Sequence, residues 1–221
     1  MLAAGNRNNP SGSRRALDEL IRTYWFPLYA YIRRQGRAAH QAEDLVQEFL
    51  TRLLEKKDLA RVNRAKGKFR SFLLASLKHF LANEYDKGRA LKRGGGAPVV
   101  ALDAEARYAI EPADDMTPER LFDRRWALAV LDQVLARLCQ GYADAGKGPL
   151  FDALKDCLTP RREGLAYARI ASRLGMTEGA VKVAVHRMRR RYRDLLRDEI
   201  AQTVDSPQQV EEEIAYLLNC L

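Results

Sequence analysis

The chain is predicted to be all-α, with two small helical domains joined by a flexible acidic linker and a helix-turn-helix in the C-terminal one. Three observations predict this. Apolar residues recur at steps of three and four through most segments, and no run of alternating apolar and polar residues marks a strand. Charge comes in blocks: residues 61–96 carry +8, 97–123 carry −5, 161–197 carry +8 and 198–221 carry −6. Between them, Leu165 to Arg197 reads as two helices around a glycine turn.

At 221 residues, 47% of them hydrophobic, the chain can bury two small cores, and its net charge of +9 favours a polyanionic partner. Two basic blocks around an acidic one point to two nucleic-acid contacts. Cys139, Cys157 and Cys220 are odd in number and widely spaced, which suits a reducing cytosol and not a disulfide framework. No apolar run reaches membrane-spanning length and the N-terminus lacks a signal-peptide core, so a soluble cytoplasmic protein with no membrane partner is expected.

Residues 1–12 read as a disordered N-terminus, and the first domain as 13–95. Ser13 is placed to cap a helix on Leu17, Leu20, Ile21, Tyr24, Leu28, Tyr31 and Ile32; Pro27 should kink it or start a new one. A second helix, Gln41 to Lys57, buries Ala42, Leu45, Val46, Phe49, Leu50, Leu53 and Leu54. That leaves Asp44, Gln47, Glu48, Thr51 and Glu55 outside, as a solvated face or a partner site. After a loop from Asp58 to Lys68, a third helix runs from Phe69 to Arg93 with Leu73, Leu77, Phe80 and Leu81 on its apolar side. Phe72, His79 and Asn83 fall in one row on another edge. An aromatic, an imidazole and an amide so aligned can stack on a base and hydrogen-bond its edge, while Lys66, Lys68, Arg70, Lys87, Arg89, Lys92 and Arg93 can bind phosphates around it. The alternative, with Phe72 in the core and the cations merely solvated, stays open from spacing alone.

Gly94-Gly95-Gly96 breaks that helix, and residues 96–118, proline-bearing and acidic, read as the linker. The second domain is placed at 119–200. Thr117-Pro118-Glu119 opens a helix to about Gln140 in the cap-then-proline manner. Gly141 to Pro149 reads as a loop and Leu150 to Leu158 as a short helix. In the helix-turn-helix, Leu165 to Leu174 is followed by Gly175, suited to the left-handed conformation that ends a helix, and by Thr177, a cap for the next. Val181, Val185, Met188, Tyr192 and Leu195 then form one buried stripe. The opposite face carries Gly179, Val183, His186 and Arg190, flanked by Lys182 and Arg187, a cationic surface that a major groove accepts. Residues 201–221 form an acidic C-terminal extension with one more amphipathic helix on Val210, Ile214, Leu217 and Leu218. Its acids either solubilise the chain or fold back on the basic helix-turn-helix.

Chemistry for catalysis is missing. His40, His79 and His186 lie apart with no metal-ligand spacing, and there is no phosphate-cradling glycine loop or nucleophile elbow, so no enzyme activity, metal or cofactor is expected.

Three stretches, taken in order, resemble the bacterial RNA polymerase sigma factors, and the compact two-lobe plan resembles their extracytoplasmic-function (ECF) type. Glu43-Asp44-Leu45-Val46-Gln47-Glu48-Phe49 followed by Leu53 is similar to the region-two helix that docks on the clamp of the polymerase. Phe69-Arg70-Ser71-Phe72-Leu73 leading to Asn83 is similar to the segment that reads and opens the minus-ten element. Tyr167-Ala168-Arg169-Ile170-Ala171 through Gly175, then Gly179-Ala180-Val181-Lys182, is similar to the region-four unit for the minus-thirty-five element. The resemblance covers roughly residues 14–95 and 120–200. Arg169 stands where the family usually has an acid and Phe72 where it often has tryptophan; the segment 141–163 is longer than in minimal members, and the tail is extra.

The resemblance implies a dissociable initiation subunit whose partners are core RNA polymerase, at its clamp and flap, and promoter DNA, with an anti-sigma factor or other regulator as a further partner class. It assigns core-polymerase binding to Asp44, Gln47, Glu48 and Phe49. It assigns the minus-ten DNA to Lys66, Lys68, Phe69, Arg70, Phe72, His79, Asn83, Lys87 and Arg89. Thr177, Lys182, Val183, His186, Arg187 and Arg190 are assigned to the minus-thirty-five DNA, and the linker to a path otherwise used by RNA. The rival reading is a helix-turn-helix regulator that acts without being a polymerase subunit.

Overall fold

In a computed structural model of the chain, the described residues are 10–55, 68–90, 116–158 and 165–221, with the backbone alone for 10–17, 86–90, 165 and 166. They are mostly helical, with no strand among them. In order the elements are α1 (Pro10–Arg34), α2 (Ala39–Glu55), α3 (Phe69–Ala90), α4 (Pro118–Asp144), α5 (Gly148–Leu154) with a 3-10 turn (Lys155–Cys157), α6 (Leu165–Leu174), α7 (Glu178–Ala201) and α8 (Pro207–Asn219). Residues 58–67 of the expected loop, the glycine break and most of the linker lie outside the described residues.

The chain divides into two compact units, Met1–Ala129 with Ile200–Leu221, and Val130–Glu199. This grouping differs from the division read from the sequence, because the start of α4 and the acidic tail join the first unit.

In the first unit α1 contributes Leu20, Tyr24, Leu28, Tyr31 and Ile32 to the core, and Pro27 lies inside one continuous helix. An interior proline costs about 3 kcal/mol. The buried side chains on both sides of it, each worth about 1.5–3 kcal/mol, outweigh that. Val46, Phe49 and Leu53 of α2 and Leu73, Leu77 and Phe80 of α3 are buried in the same unit. The Phe49 and Phe80 rings lie 5.6 Å apart, and Tyr24 meets Phe69 edge to face at 5.4 Å. The first turns of α4, capped by Thr117 Oγ1 on the amide of Arg120 at 3.3 Å, add Leu121, Phe122 and Trp126. From α8, Val210 and Leu217 are buried, and so is Glu213.

The second unit packs the remainder of α4 (Val130, Val134, Leu138) with Phe151 and Leu154 of α5, Ile170 of α6, and Val181, Val185, Met188 and Leu195 of α7. Here α4 runs on through Gly141 to Asp144, into the predicted loop. Tyr142 packs on Phe151 at 5.8 Å, which offsets the roughly 1 kcal/mol helix penalty of the glycine. Arg137 Nη1 and Gln133 Nε2 hold the buried Glu199 carboxylate at 2.8 and 3.1 Å. Burial, and secondarily Asp132, pushes the Tyr192 hydroxyl up to about 12, so it stays a neutral donor to the Leu131 carbonyl at 3.4 Å.

The turn between α6 and α7 has the expected chemistry. Gly175 has φ +63°, the amide of Met176 reaches back to the Ala171 carbonyl at 2.9 Å, and Thr177 Oγ1 accepts from the amide of Ala180 at 3.2 Å. A Cβ at Gly175 would meet nothing within 4 Å, so a substitution there carries only the backbone term. Gly175→Ala is therefore expected to destabilise the second unit by about 1 kcal/mol, read as a lower thermal midpoint. An unchanged midpoint would mean the turn relaxes out of the left-handed region.

Candidate nucleic-acid interface

Two exposed faces and one half-closed corner emerge from these packings. The first face is the outside of α2. Asp44, Gln47, Glu48 and Thr51 are exposed there, as the buried stripe requires. Phe49, assigned with them to polymerase binding, is not on this face: it is 3% exposed and packed on Phe80, because its step around the helix belongs to the apolar stripe. Glu48 is tied to Arg52 one turn on, and Arg52 Nη1 reaches Glu84 Oε1 of α3 at 2.7 Å while lying over the Phe80 ring at 5.1 Å. The bond to Glu84 outweighs burial and holds the Arg52 guanidinium firmly charged. Arg52 thus cross-links the acidic face of α2 to α3.

Beside that link, Arg52, Leu53, Ser76, His79, Phe80 and Asn83 line an open cleft between α2 and α3, with Phe49 at its floor. His79 and Asn83 are exposed one turn apart on its rim. Phe72, two turns earlier in the row, is half-buried and leans on Phe69 at 6.2 Å, so the row is real but only its C-terminal half opens on the cleft. Imidazole and amide together offer donors and acceptors for the edge of an unstacked base.

The corner is the first turn of α3. Phe69 and Arg70, assigned to DNA contact, are buried, at 6% and 9% exposure. Phe69 goes inward because it is an aromatic at the start of the apolar stripe, opposite Tyr24. Arg70 goes inward because anions await it. Its Nε lies 2.5 Å from Glu213 Oε1 and its Nη1 2.8 Å from Asp123 Oδ1, and its guanidinium sits 3.9 Å from the Tyr216 ring centroid and 5.1 Å from that of Trp126. Burial opposes its charge, but the two carboxylates win and raise its pKa above the ordinary arginine value. Lys68 Nζ reaches the other oxygen of Glu213 at 2.6 Å. The tail acids were expected to solvate the chain or to meet the helix-turn-helix; Glu213 instead finds its cations here. Lys66 lies outside the described residues, as do the side chains of Lys87 and Arg89.

Glu213, Asp123 and Tyr216 were not singled out from the sequence. A signal for Glu213 existed: with Val210 and Leu217 it falls at steps of three and four, a stripe position, whereas Leu218, counted in that stripe, is 56% exposed. An acid on an apolar stripe announces a buried cationic partner without naming it.

The second face belongs to the second unit. On α7, Lys182, Val183, His186, Arg187 and Arg190 are all exposed, Val183 to 50%, opposite the buried Val181, Val185 and Met188. Among the described residues no acid pairs with Lys182, Arg187 or Arg190. Thr177 is exposed as well, with its hydroxyl engaged as the cap. A solvated cationic face on α7, the second of two helices around the Gly175 turn, can meet phosphates at once. Among the described residues no group of His, Cys, Asp or Glu could hold a metal ion, and no helix is long and apolar enough to cross a membrane.

Comparison with known proteins bears on the same two units. Residues 20–90, which hold α2, the cleft and the first turn of α3, match the Sigma-70 region 2 family. The chain is also 26% identical over 198 residues to the ECF RNA polymerase sigma factor SigE of Mycolicibacterium smegmatis, an alignment covering 86% of this chain. It spans 65% of the length of that relative. No solved structure matches.

Proposed function

We infer that this chain, whose residues 20–90 match sigma-70 region 2, is an RNA polymerase sigma factor of the extracytoplasmic-function type. It binds core RNA polymerase, directs it to specific promoters and helps melt the minus-ten element. The observation that carries this reading is the lobe matched to region 2, with an exposed acidic face on α2 and an open, polar-rimmed cleft beside it.

Division of labour follows from the exposed groups. Asp44, Gln47 and Glu48 meet the polymerase clamp, while Phe49 shapes that face from beneath. His79 and Asn83, with Phe72 behind them, receive a base displaced from the minus-ten duplex. Unstacking a base costs a few kcal/mol, so a ready cleft lowers the cost of opening without ATP. Lys182, His186, Arg187 and Arg190 anchor the minus-thirty-five duplex through its phosphates and major groove, and Val183 is placed to touch a thymine methyl. A protein with this work acts in the bacterial cytoplasm. A regulator acting alone would bind its DNA without polymerase; the match to a polymerase-binding region argues against that.

The test is to add the purified chain to core polymerase and look for specific run-off transcripts; none, with DNA bound equally well in the absence of polymerase, would favour the regulator. Within that assay Asn83→Ala is expected to slow promoter opening about tenfold, the value of roughly one base-edge hydrogen bond, at unchanged polymerase affinity. Equal loss of both would remove Asn83 from the DNA.

A further inference from the structure

The corner formed by Lys68, Arg70, Asp123, Glu213 and Tyr216 joins two cations that the resemblance assigns to DNA with three groups given no role above, and all five residues belong to the first unit. Lys68 and Arg70 flank the amide of Phe69, which itself donates to the Thr203 carbonyl at 3.1 Å, so chain from the tail reaches α3 through backbone as well as side chain. The Glu213 carboxylate, 1% exposed, places one oxygen on Arg70 Nε at 2.5 Å and the other on Lys68 Nζ at 2.6 Å. The Tyr216 ring covers the guanidinium, and its hydroxyl donates to Asp123 Oδ2 at 2.6 Å, closing the ring of contacts. Two cations at this spacing, one of them a planar fork, are a receptor for a doubly bonded anion, and a phosphodiester offers the same pair of oxygens.

We propose that Glu213 on α8 is a built-in occupant of the Lys68–Arg70 pair at the entrance to α3, a carboxylate that must leave before DNA backbone can reach those two cations. The proposal rests on the sigma-factor reading for the identity of that DNA. Displacement is feasible on physical grounds: a buried ion pair returns much of its attraction as desolvation, so exchanging one anion for another changes the balance little. The contacts of α8 other than Glu213 and Tyr216, chiefly Val210 and Leu217, then set how firmly the site is closed. The first lobe would remain poor at holding single-stranded DNA until the tail is lifted.

The experiment compares full-length Glu213→Gln with Glu212→Gln, which makes the same charge change at an exposed neighbour. A fluorescein-labelled single-stranded DNA 20-mer of mixed sequence is titrated by anisotropy at several salt concentrations. Glu213→Gln is expected to bind about tenfold more tightly than Glu212→Gln, with a steeper salt dependence because about one or two more phosphates are neutralised. Equal affinities of the two variants, both folded by circular dichroism, overturn the proposal. Hydrogen exchange on the wild-type chain supplies the second reading whether or not the variant folds: saturating oligonucleotide is expected to deprotect the amides of residues 207–219. Undiminished protection there overturns the proposal too. Run-off transcription separates the two ideas. Transcripts without either effect remove the tail's role and keep the sigma factor, whereas both effects without transcripts keep the phosphate site and remove the sigma factor.

Discussion

Arg70→Met is expected to cost the first unit about 3–5 kcal/mol, the penalty for removing one member of a buried ionic cluster. The magnitude comes from what is left behind. Glu213 is 1% exposed and Asp123 nearly as enclosed, with a side chain 13% exposed. Without the guanidinium, Lys68 remains among the described residues as the cation beside Glu213, and Asp123 keeps the hydroxyl of Tyr216. Methionine fills the space between Trp126 and Tyr216 but brings no donor. Urea unfolding followed by tryptophan fluorescence should show the loss directly. The double variant Arg70→Met, Glu213→Leu should recover most of it, since an apolar replacement of a whole buried pair is often neutral. A single-variant loss below about 1 kcal/mol would mean that Glu213 swings into water and that the corner contributes little to stability.

Reversing both charges on α2, Asp44→Lys with Glu48→Lys, is expected to weaken the complex with core polymerase about a hundredfold. Attraction turns into repulsion at two exposed positions one helical turn apart, and about 1–2 kcal/mol at each is in the ordinary range for interfacial charges, while roughly 1.4 kcal/mol is tenfold. Loss of the Glu48–Arg52 pair should cost the fold only a few tenths of a kcal/mol, because it is an exposed pair one turn apart and Arg52 keeps Glu84. Binding of labelled protein to core polymerase, measured with and without the substitutions at fixed salt, reads the effect. An unchanged affinity would return this face to solvent.

Local chemistry explains which parts of the molecule were legible. The α6–α7 turn was readable because Gly175, Thr177 and the stripe from Val181 to Leu195 act within a few residues of one another. The cationic face of α7 followed as the complement of that stripe. The burial of Phe49, Phe69 and Arg70 was not legible for one reason: resemblance to a motif assigns roles by order in sequence, while burial is decided by which helix packs where. Pro27 and Gly141 misled in the opposite sense, since local propensity marks a break that tertiary contacts override.

The sequence by itself determined that this is a helical chain with two basic segments, an acidic face on α2, a His79–Asn83 row and a helix-turn-helix. Each of these follows from periodicity, charge and turn residues that lie close together in sequence. Only the tertiary structure decided that Arg70 is turned away from solvent and that the acidic tail meets the entrance of α3. Glu213 and Arg70 are 143 residues apart, and no short-range pattern encodes a partner at that distance. Folding brings them together because a carboxylate on an apolar stripe is stable only where buried cations await it.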